Sequence, residues 1–347
     1  MPGSCQRGVR AVRRLLLGLI FLLALGAGAG AWWLHQPLAL DAARVAPGTS
    51  SLDLSIEPGT TPRAVAQAVA DAGARVPPQA LFWWFRLSGQ ARKIKAGSYE
   101  INPGATPLSV LGMLVRGEGS LSSVTLVDGW TFKQFRDALS KADRLKPDTQ
   151  GLSDDSIMTL LGRPGLSPEG RFYPDSYSYA KGSSDLAVLK RAMRLMDTRL
   201  ATAWAQRAPD VPLKTPDQAL VLASIVEKET GRASDRAMIA GVFCNRLRLG
   251  MPLQTDPTVI YGLGDKFDGN LHKSDLQTDT PWNTYTRSGL PPTPIAMPGM
   301  AALTAALHPL ATKALYFVAR GDGSSQFSAS LDEHNRAVNK FQRGQNQ

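Results

Sequence analysis

The chain has 347 residues, enough for a membrane anchor and two soluble domains at roughly 100–200 residues each. With 43% hydrophobic and 20% charged residues it has material for a packed core, and its 24 prolines and 32 glycines follow no period. A wholly disordered, collagen-like or low-complexity chain is therefore excluded. The net charge of +10 is partly local: residues 1–34 carry Arg7, Arg10, Arg13 and Arg14 and no acid, leaving 35 basic against 29 acidic residues elsewhere. That excess forms no basic run, so nucleic acid is not the expected partner, whereas an anionic membrane or wall polymer would suit it. Two cysteines, Cys5 and Cys244, make no disulfide framework, and four separated histidines make no metal cluster. Neither a metal nor a cofactor is expected.

In chain order, the first element is a charge-free run from Leu15 to Leu34, LLLGLIFLLALGAGAGAWWL. About 20 such residues span a bilayer core as a helix. Arg7–Arg14 precede the run and Trp32 and Trp33 end it, so the positive-inside rule keeps residues 1–14 cytoplasmic and exports everything beyond His35. An uncleaved single-pass anchor is expected, with Ala27-Gly28-Ala29 the cleavage site if the run is instead a signal peptide. Residues 35–50 read as a linker. Three echoes of one unit follow, each a β-type run, a glycine turn and an amphipathic helix, beginning at Leu52, Ser98 and Val124. Thr60 or Thr61 and Thr106 are N-cap candidates, with Pro62 and Pro107 at the first helical position. Between the first two units, Phe82, Trp83, Trp84 and Phe85 lie on a predicted helix, as a sugar-stacking surface or as a wedge between two layers. EGRFYPDSY (169–177) reads as a packed loop or the rim of a polar cleft, and Ser184-Asp185 cap a long helix.

A capping box at Thr215–Gln218 starts a helix, ALVLASIVEKET, that runs to Gly231, and a second helix begins at Ser234-Asp235 and ends at Gly250. Leu220, Ala223, Ser224 and Glu227 share one face of the first; Leu222, Ile225, Val226 and Glu229 share an adjoining one. Each glutamate thus follows an apolar stripe, which raises a carboxyl's pKa and suits a general acid; the alternative is a pair of solvated helix-end acids. LQTDPTVIY (253–261) and PWNTYTRSGLPPTPIAMP (281–298) add the amides, hydroxyls and aromatics that a neutral sugar demands. The C-terminal stretch reads as strand, glycine turn, strand and a helix capped near Ser330.

ASIVEKET, NRLRLGMPLQTDPTVIYGLG, YTRSGLPPTPI and LYFVARGDG with the later HNRAV resemble the MltG (YceG-like) endolytic murein transglycosylases. The resemblance implies an α+β chain with a single N-terminal transmembrane helix (15–34), a LysM-like small α/β module (51–121) and a mixed α+β YceG-like catalytic domain (122–347). It also implies an inner-membrane enzyme facing the periplasm, associated with peptidoglycan synthases, that cuts nascent glycan strands internally and leaves 1,6-anhydro-muramoyl ends. The family's catalytic glutamate lands on Glu227, whose small neighbours leave room for a sugar; Glu229 is expected to act through packing or local electrostatics. Gln254, Thr255, Asp256, Asn283, Tyr285 and Asn245 are the expected sugar contacts. Ser325 stands where the family usually has a histidine, and the His334-Asn335 pair reads either as a capping or turn-stabilising pair or as a substrate contact. A muramidase using Asp256 as second carboxylate and a non-catalytic wall-binding scaffold are the other readings.

Overall fold

The structure, a computed structural model, describes residues 5–44, 51–119 and 121–343, the side chains of 5–16, 19, 23 and 343 excepted. It divides into two compact units, Met1–Ser122 with Ser178–Ser183, and Ser123–Tyr177 with Ser184–Gln347. Residues 178–183, expected in the second domain, thus belong with the first.

The first unit opens with helix α1 (Cys5–Leu34), which contains the apolar run. Among the described residues no helix is long and apolar enough to cross a membrane. The side chains of Leu15, Leu16, Leu19 and Leu23, part of the expected span, and of the arginine tail lie outside the described ones, as do linker residues 45–50. Strands β1 (Ala39–Leu40) and β2 (Leu52–Ile56), helix α2 (Pro62–Asp71), strand β3 (Ala74–Arg75), helix α3 (Pro78–Leu87), strand β4 (Gly97–Ile101) and helix α4 (Pro107–Arg116) follow. β1 pairs antiparallel with β3, and β2 with β4, Leu54 opposite Tyr99. Strand alternation buries Leu52, Leu54 and Ile56 and exposes Asp53 and Ser55. Thr61 and Thr106 cap α2 and α4 through their hydroxyls, with proline first in each helix. On α3 the helical period splits the aromatic run: Phe85 is fully buried, Phe82 and Trp84 pack on the core's edge, and Trp83 is 54% exposed.

From Ser122 onward the elements are β5 (Ser122–Thr125), α5 (Phe132–Ser140), α6 (Asp154–Leu160), β6 (Ser176–Tyr179), α7 (Asp185–Ala205), α8 (Pro216–Glu229), α9 (Ala233–Arg248), α10 (Asp256–Leu263), α11 (Lys273–Gln277), α12 (Met300–Leu307), β7 (Tyr316–Ala319), β8 (Ser325–Ser328) and α13 (Leu331–Val338), all of the second unit except Ser122 of β5 and residues 178–179 of β6. The centre of the second unit is α8, buried at every position from Ala219 to Val226 and packed on α7, α9, α10 and α12. A helix apolar all round belongs inside a core. α9 begins at Ala233, one residue before the expected start, with no side-chain cap, and Asp235 accepts the Ser325 N–H of β8 at 2.9 Å. Gly241 of α9 is required: a Cβ there would lie 2.5 Å from the Leu310 carbonyl oxygen, where the chain crosses and Leu310 N–H bonds Ala237. β7 and β8 form an antiparallel hairpin with Phe317 opposite Phe327, and Ser330 caps α13 in a reciprocal capping box with Glu333.

EGRFYPDSY is a packed loop. Phe172 is fully buried and stacks on Phe132 with ring centroids 5.0 Å apart. Glu169, 5% exposed, accepts the Phe132 N–H at 3.1 Å and the Tyr261 O–H at 3.3 Å. Burial pushes its carboxyl up to about 7 against these two hydrogen bonds. Between its unfolded value of about 4.5 and 7 the folded chain holds a proton that the unfolded chain has released. The stabilisation is complete below that window and lost as pH rises through it, ~3 kcal/mol in all. The Tm of the wild type, relative to Glu169→Gln, should therefore rise as the buffer is taken from about pH 7.5 to 5. Parallel profiles would contradict this.

Candidate active site

Residues two apart on a helix point about 200° apart, so Glu227 and Glu229 leave α8 on different sides. On the Glu227 side, Ser224 accepts the Ile295 N–H at 3.0 Å and Glu227 accepts the Gly299 N–H at 2.9 Å. Lys228 Nζ donates to the Gly129 carbonyl at 3.3 Å, and Gly129 N–H bonds Met297. Glu227 thereby latches the 295–299 segment to α8. Burial raises its pKa first of all, the Gly299 N–H opposes this, and nearby Asp128 adds to it.

On the other side, Thr255 Oγ1 donates to Glu229 Oε2 at 2.6 Å. Burial raises the Glu229 pKa, the Thr255 hydrogen bond lowers it, and the negative charge of Asp256 raises it again. Thr255 is held by its neighbours: its N–H donates to Thr284 Oγ1 at 3.1 Å, its carbonyl accepts from Thr258 Oγ1 at 2.8 Å, and the Thr258 and Thr284 hydroxyls bond each other at 2.8 Å. Gln254 sits at φ 51°, a left-handed conformation that costs a non-glycine residue roughly 1–2 kcal/mol. Two bonds hold it there: its N–H to the Thr284 carbonyl, and its Oε1 accepting from Arg246 Nη1 at 3.0 Å. Arg246, buried on α9, also donates to the carbonyls of Pro252, Leu253 and Leu315.

These groups surround a cavity of about 520 Å³ whose wall includes Glu229, Gln254, Asp256, Tyr285, Arg246 and His334. Tyr285 O–H donates to Asp256 Oδ1 at 2.6 Å. The cavity therefore joins a carboxyl biased toward its protonated form, a second carboxylate, an amide and two aromatic hydroxyls (Tyr285 and Tyr316). That is the equipment of acid–base chemistry on a hydroxyl-rich ligand.

Of the expected contacts, Gln254, Asp256 and Tyr285 line this cavity with Glu229, and Glu227 does not. Thr255, 2% exposed, reaches the site only through Glu229. Asn245 is turned away, its amide donating to the carbonyls of Thr312 and Ala314. Asn283 is fully buried; its amide is shared among the carbonyls of Asp275, Leu276 and Thr278, and its Oδ1 accepts the Tyr285 N–H at 2.8 Å. It shapes the loop that carries Tyr285 and does not line the cavity. Sequence reasoning missed Arg246 and Tyr316 on the cavity wall, although Arg246 lies in the NRLRLG motif; His334, read as either a capping residue or a substrate contact, lines the wall as well. Asn283→Ala strands buried acceptors and should cost about 1–3 kcal/mol, read as a lower Tm. An unchanged Tm would return Asn283 to the ligand contacts.

The sequence model of the YceG-like family matches residues 54–340. An endolytic murein transglycosylase of Bacillus subtilis (strain 168) is 29% identical over 309 residues, 84% of this chain and 85% of that protein. A protein of the same name from Streptococcus pneumoniae (serotype 2, strain D39) is 26% identical over 280 residues, 71% of this chain and 50% of its own length. Among solved structures, a YceG-like protein of Listeria monocytogenes aligns at TM-score 0.51 and 28% identity, over 82% of this chain and 98% of that one. With the family pattern running through both units and across the cavity, the chain belongs to the YceG-like family.

Proposed function

We propose that the chain is an endolytic murein transglycosylase in which Glu229 is the catalytic acid and base. The observation that carries this reading is the placement of Glu229: a half-buried carboxyl with a raised pKa, held by Thr255 and open to the cavity that Gln254, Asp256 and Tyr285 share. This moves the acid two residues from Glu227, whose carboxylate is spent on Gly299.

A lytic transglycosylase needs one carboxyl where hydrolases need two. Protonated Glu229 gives its proton to the oxygen bridging C1 of N-acetylmuramic acid and N-acetylglucosamine as that C–O bond breaks. The resulting carboxylate then takes the proton of the C6 hydroxyl on the same muramoyl residue, and O6 closes on C1 as a 1,6-anhydro ring. The nucleophile is already tethered, so no water is consumed. The raised pKa serves the first half of this cycle and the cavity's open side the second.

One observation keeps a second reading: Asp256 shares the cavity and is hydrogen-bonded by Tyr285, as a second carboxylate of a muramidase would be placed. The mass of the product separates the two, since an anhydro end weighs one water less than a reducing end. Within the proposed function, α1 anchors the chain in the inner membrane with residues 1–14 cytoplasmic, supported by the charge-free run between the arginines and the paired tryptophans. Residues 51–121 act as a LysM-like strand-holding module, supported by the repeated strand–turn–helix unit. Peptidoglycan synthases are the expected partners, supported by the family resemblance.

The test is digestion of purified peptidoglycan by the full chain in detergent, with mass spectrometry of the products. Glu229→Gln should lower the anhydro-product rate by roughly 10²–10⁴-fold. Glu227→Gln, which keeps an acceptor for Gly299, should stay within about tenfold of wild type. A dead Glu227→Gln beside an active Glu229→Gln would restore the first assignment.

A further inference from the structure

His334 of α13 lines the same cavity as Glu229 and has no part in the chemistry above. Its imidazole stacks on the Tyr316 ring, centroids 5.3 Å apart and planes 24° from parallel. The Arg246 guanidinium lies 5.0 Å from the centroid of that same ring. Since Arg246 is itself tied to the carbonyls of Pro252, Leu253 and Leu315, the stack is fixed to the hairpin and to α9. Nδ1 of His334 is buried and has no hydrogen-bond partner. An N–H there would be a stranded donor, at a cost of roughly 1–3 kcal/mol, so the ring's proton sits on Nε2. Burial first and then the Arg246 charge lower the imidazole pKa, which favours the neutral ring. Ser325, also on the wall, stands where a family histidine was expected, so His334 is the imidazole among the described lining residues.

The cavity's polar groups are unevenly matched to a sugar. Asp256 accepts from hydroxyls and repels an anionic ligand group, while the Glu229 proton is reserved for the bridging oxygen. Tyr285 O–H is committed to Asp256, and Gln254 Oε1 to Arg246. The donors open to a ligand group that only accepts, such as an amide carbonyl, are the amides of Gln254 and Gln342, the hydroxyls of Tyr316 and Ser325, and His334 Nε2–H, the last on a ring fixed by its stack on Tyr316. We propose that His334 is a substrate-binding residue whose neutral Nε2–H donates to the carbonyl oxygen of an N-acetyl group on the glycan strand, a role that rests on the cavity being the glycan site.

The test compares wild type, His334→Phe and His334→Gln, full chain in detergent, on uncrosslinked glycan strands before and after chemical de-N-acetylation. Phenylalanine keeps the stack on Tyr316 and removes the donor; glutamine returns a donor. His334→Phe should raise KM about tenfold on acetylated strands, with kcat within about threefold and Tm unchanged, and His334→Gln should recover most of the loss. On de-N-acetylated strands wild type and His334→Phe should have the same KM. Wild-type cleavage with an unaltered KM in His334→Phe would overturn this proposal alone. Equal losses on both substrates with a lowered Tm would also overturn it and assign His334 to packing. A wild-type chain that neither binds nor cuts the strands would overturn it together with the proposed function.

Discussion

From Ala219 to Val226 helix α8 has no solvent face. Each large apolar side chain there contributes roughly 1.5–3 kcal/mol by its burial, so the helix can neither rotate nor slide without opening the core. The directions of its last three residues are therefore set by packing several turns earlier. Glu227 continues the side on which Ser224 meets the 295–299 segment, while Glu229 emerges on the side of Thr255. Two carboxyls with similar apolar surroundings, both raised in pKa by burial, receive different work because one helix interior allows only one orientation.

The cavity around Glu229 is assembled from segments remote in sequence, and hydrogen bonds join them. The Thr255–Thr258–Thr284 cluster ties the start of α10 to the loop before Tyr285. Arg246 links α9 to Gln254 and to the Leu315 carbonyl before β7, and Asp235 ties the start of α9 to Ser325 on β8. Gln254 keeps a left-handed backbone inside this web. Strain of this kind persists where its surroundings over-determine it, and such places cluster at functional sites.

Local rules were legible in the sequence. Alternation located β2 and β4, threonine and proline located the starts of α2 and α4, and the capping residues of α8 and α13 stand where expected. Gln254, Asp256 and Tyr285 could be chosen by residue type because exposed amides, carboxylates and phenols near a proline-rich loop have few other uses. What failed was direction. Faces drawn on α8 treated it as amphipathic and ranked the glutamates by the size of their neighbours, whereas the helix is enclosed and only the third dimension says which end group meets a cavity. Asn283 and Asn245 failed for a related reason: a buried amide must satisfy its own hydrogen bonds, and both are consumed by backbone carbonyls of loops whose course no local pattern reveals. Arg246 went unmarked because its partner Leu315 lies some 70 residues away, and for His334 a capping role and substrate contact stood side by side because its stacking partner, Tyr316, is 18 residues away.

The central claim is that the side chain at 229, and not that at 227, meets the bond that is cut. A crystal structure of the Glu229→Gln chain with a bound muramic-acid-containing tetrasaccharide tests it most directly. The bridging glycosidic oxygen should lie within hydrogen-bond distance of the residue-229 carboxamide, with Asp256 and Tyr285 in contact with the sugars and Glu227 still bonded to the Gly299 N–H. A strand seated instead against Glu227, Gly129 and Gly299, with the 254–256 wall empty, would contradict it.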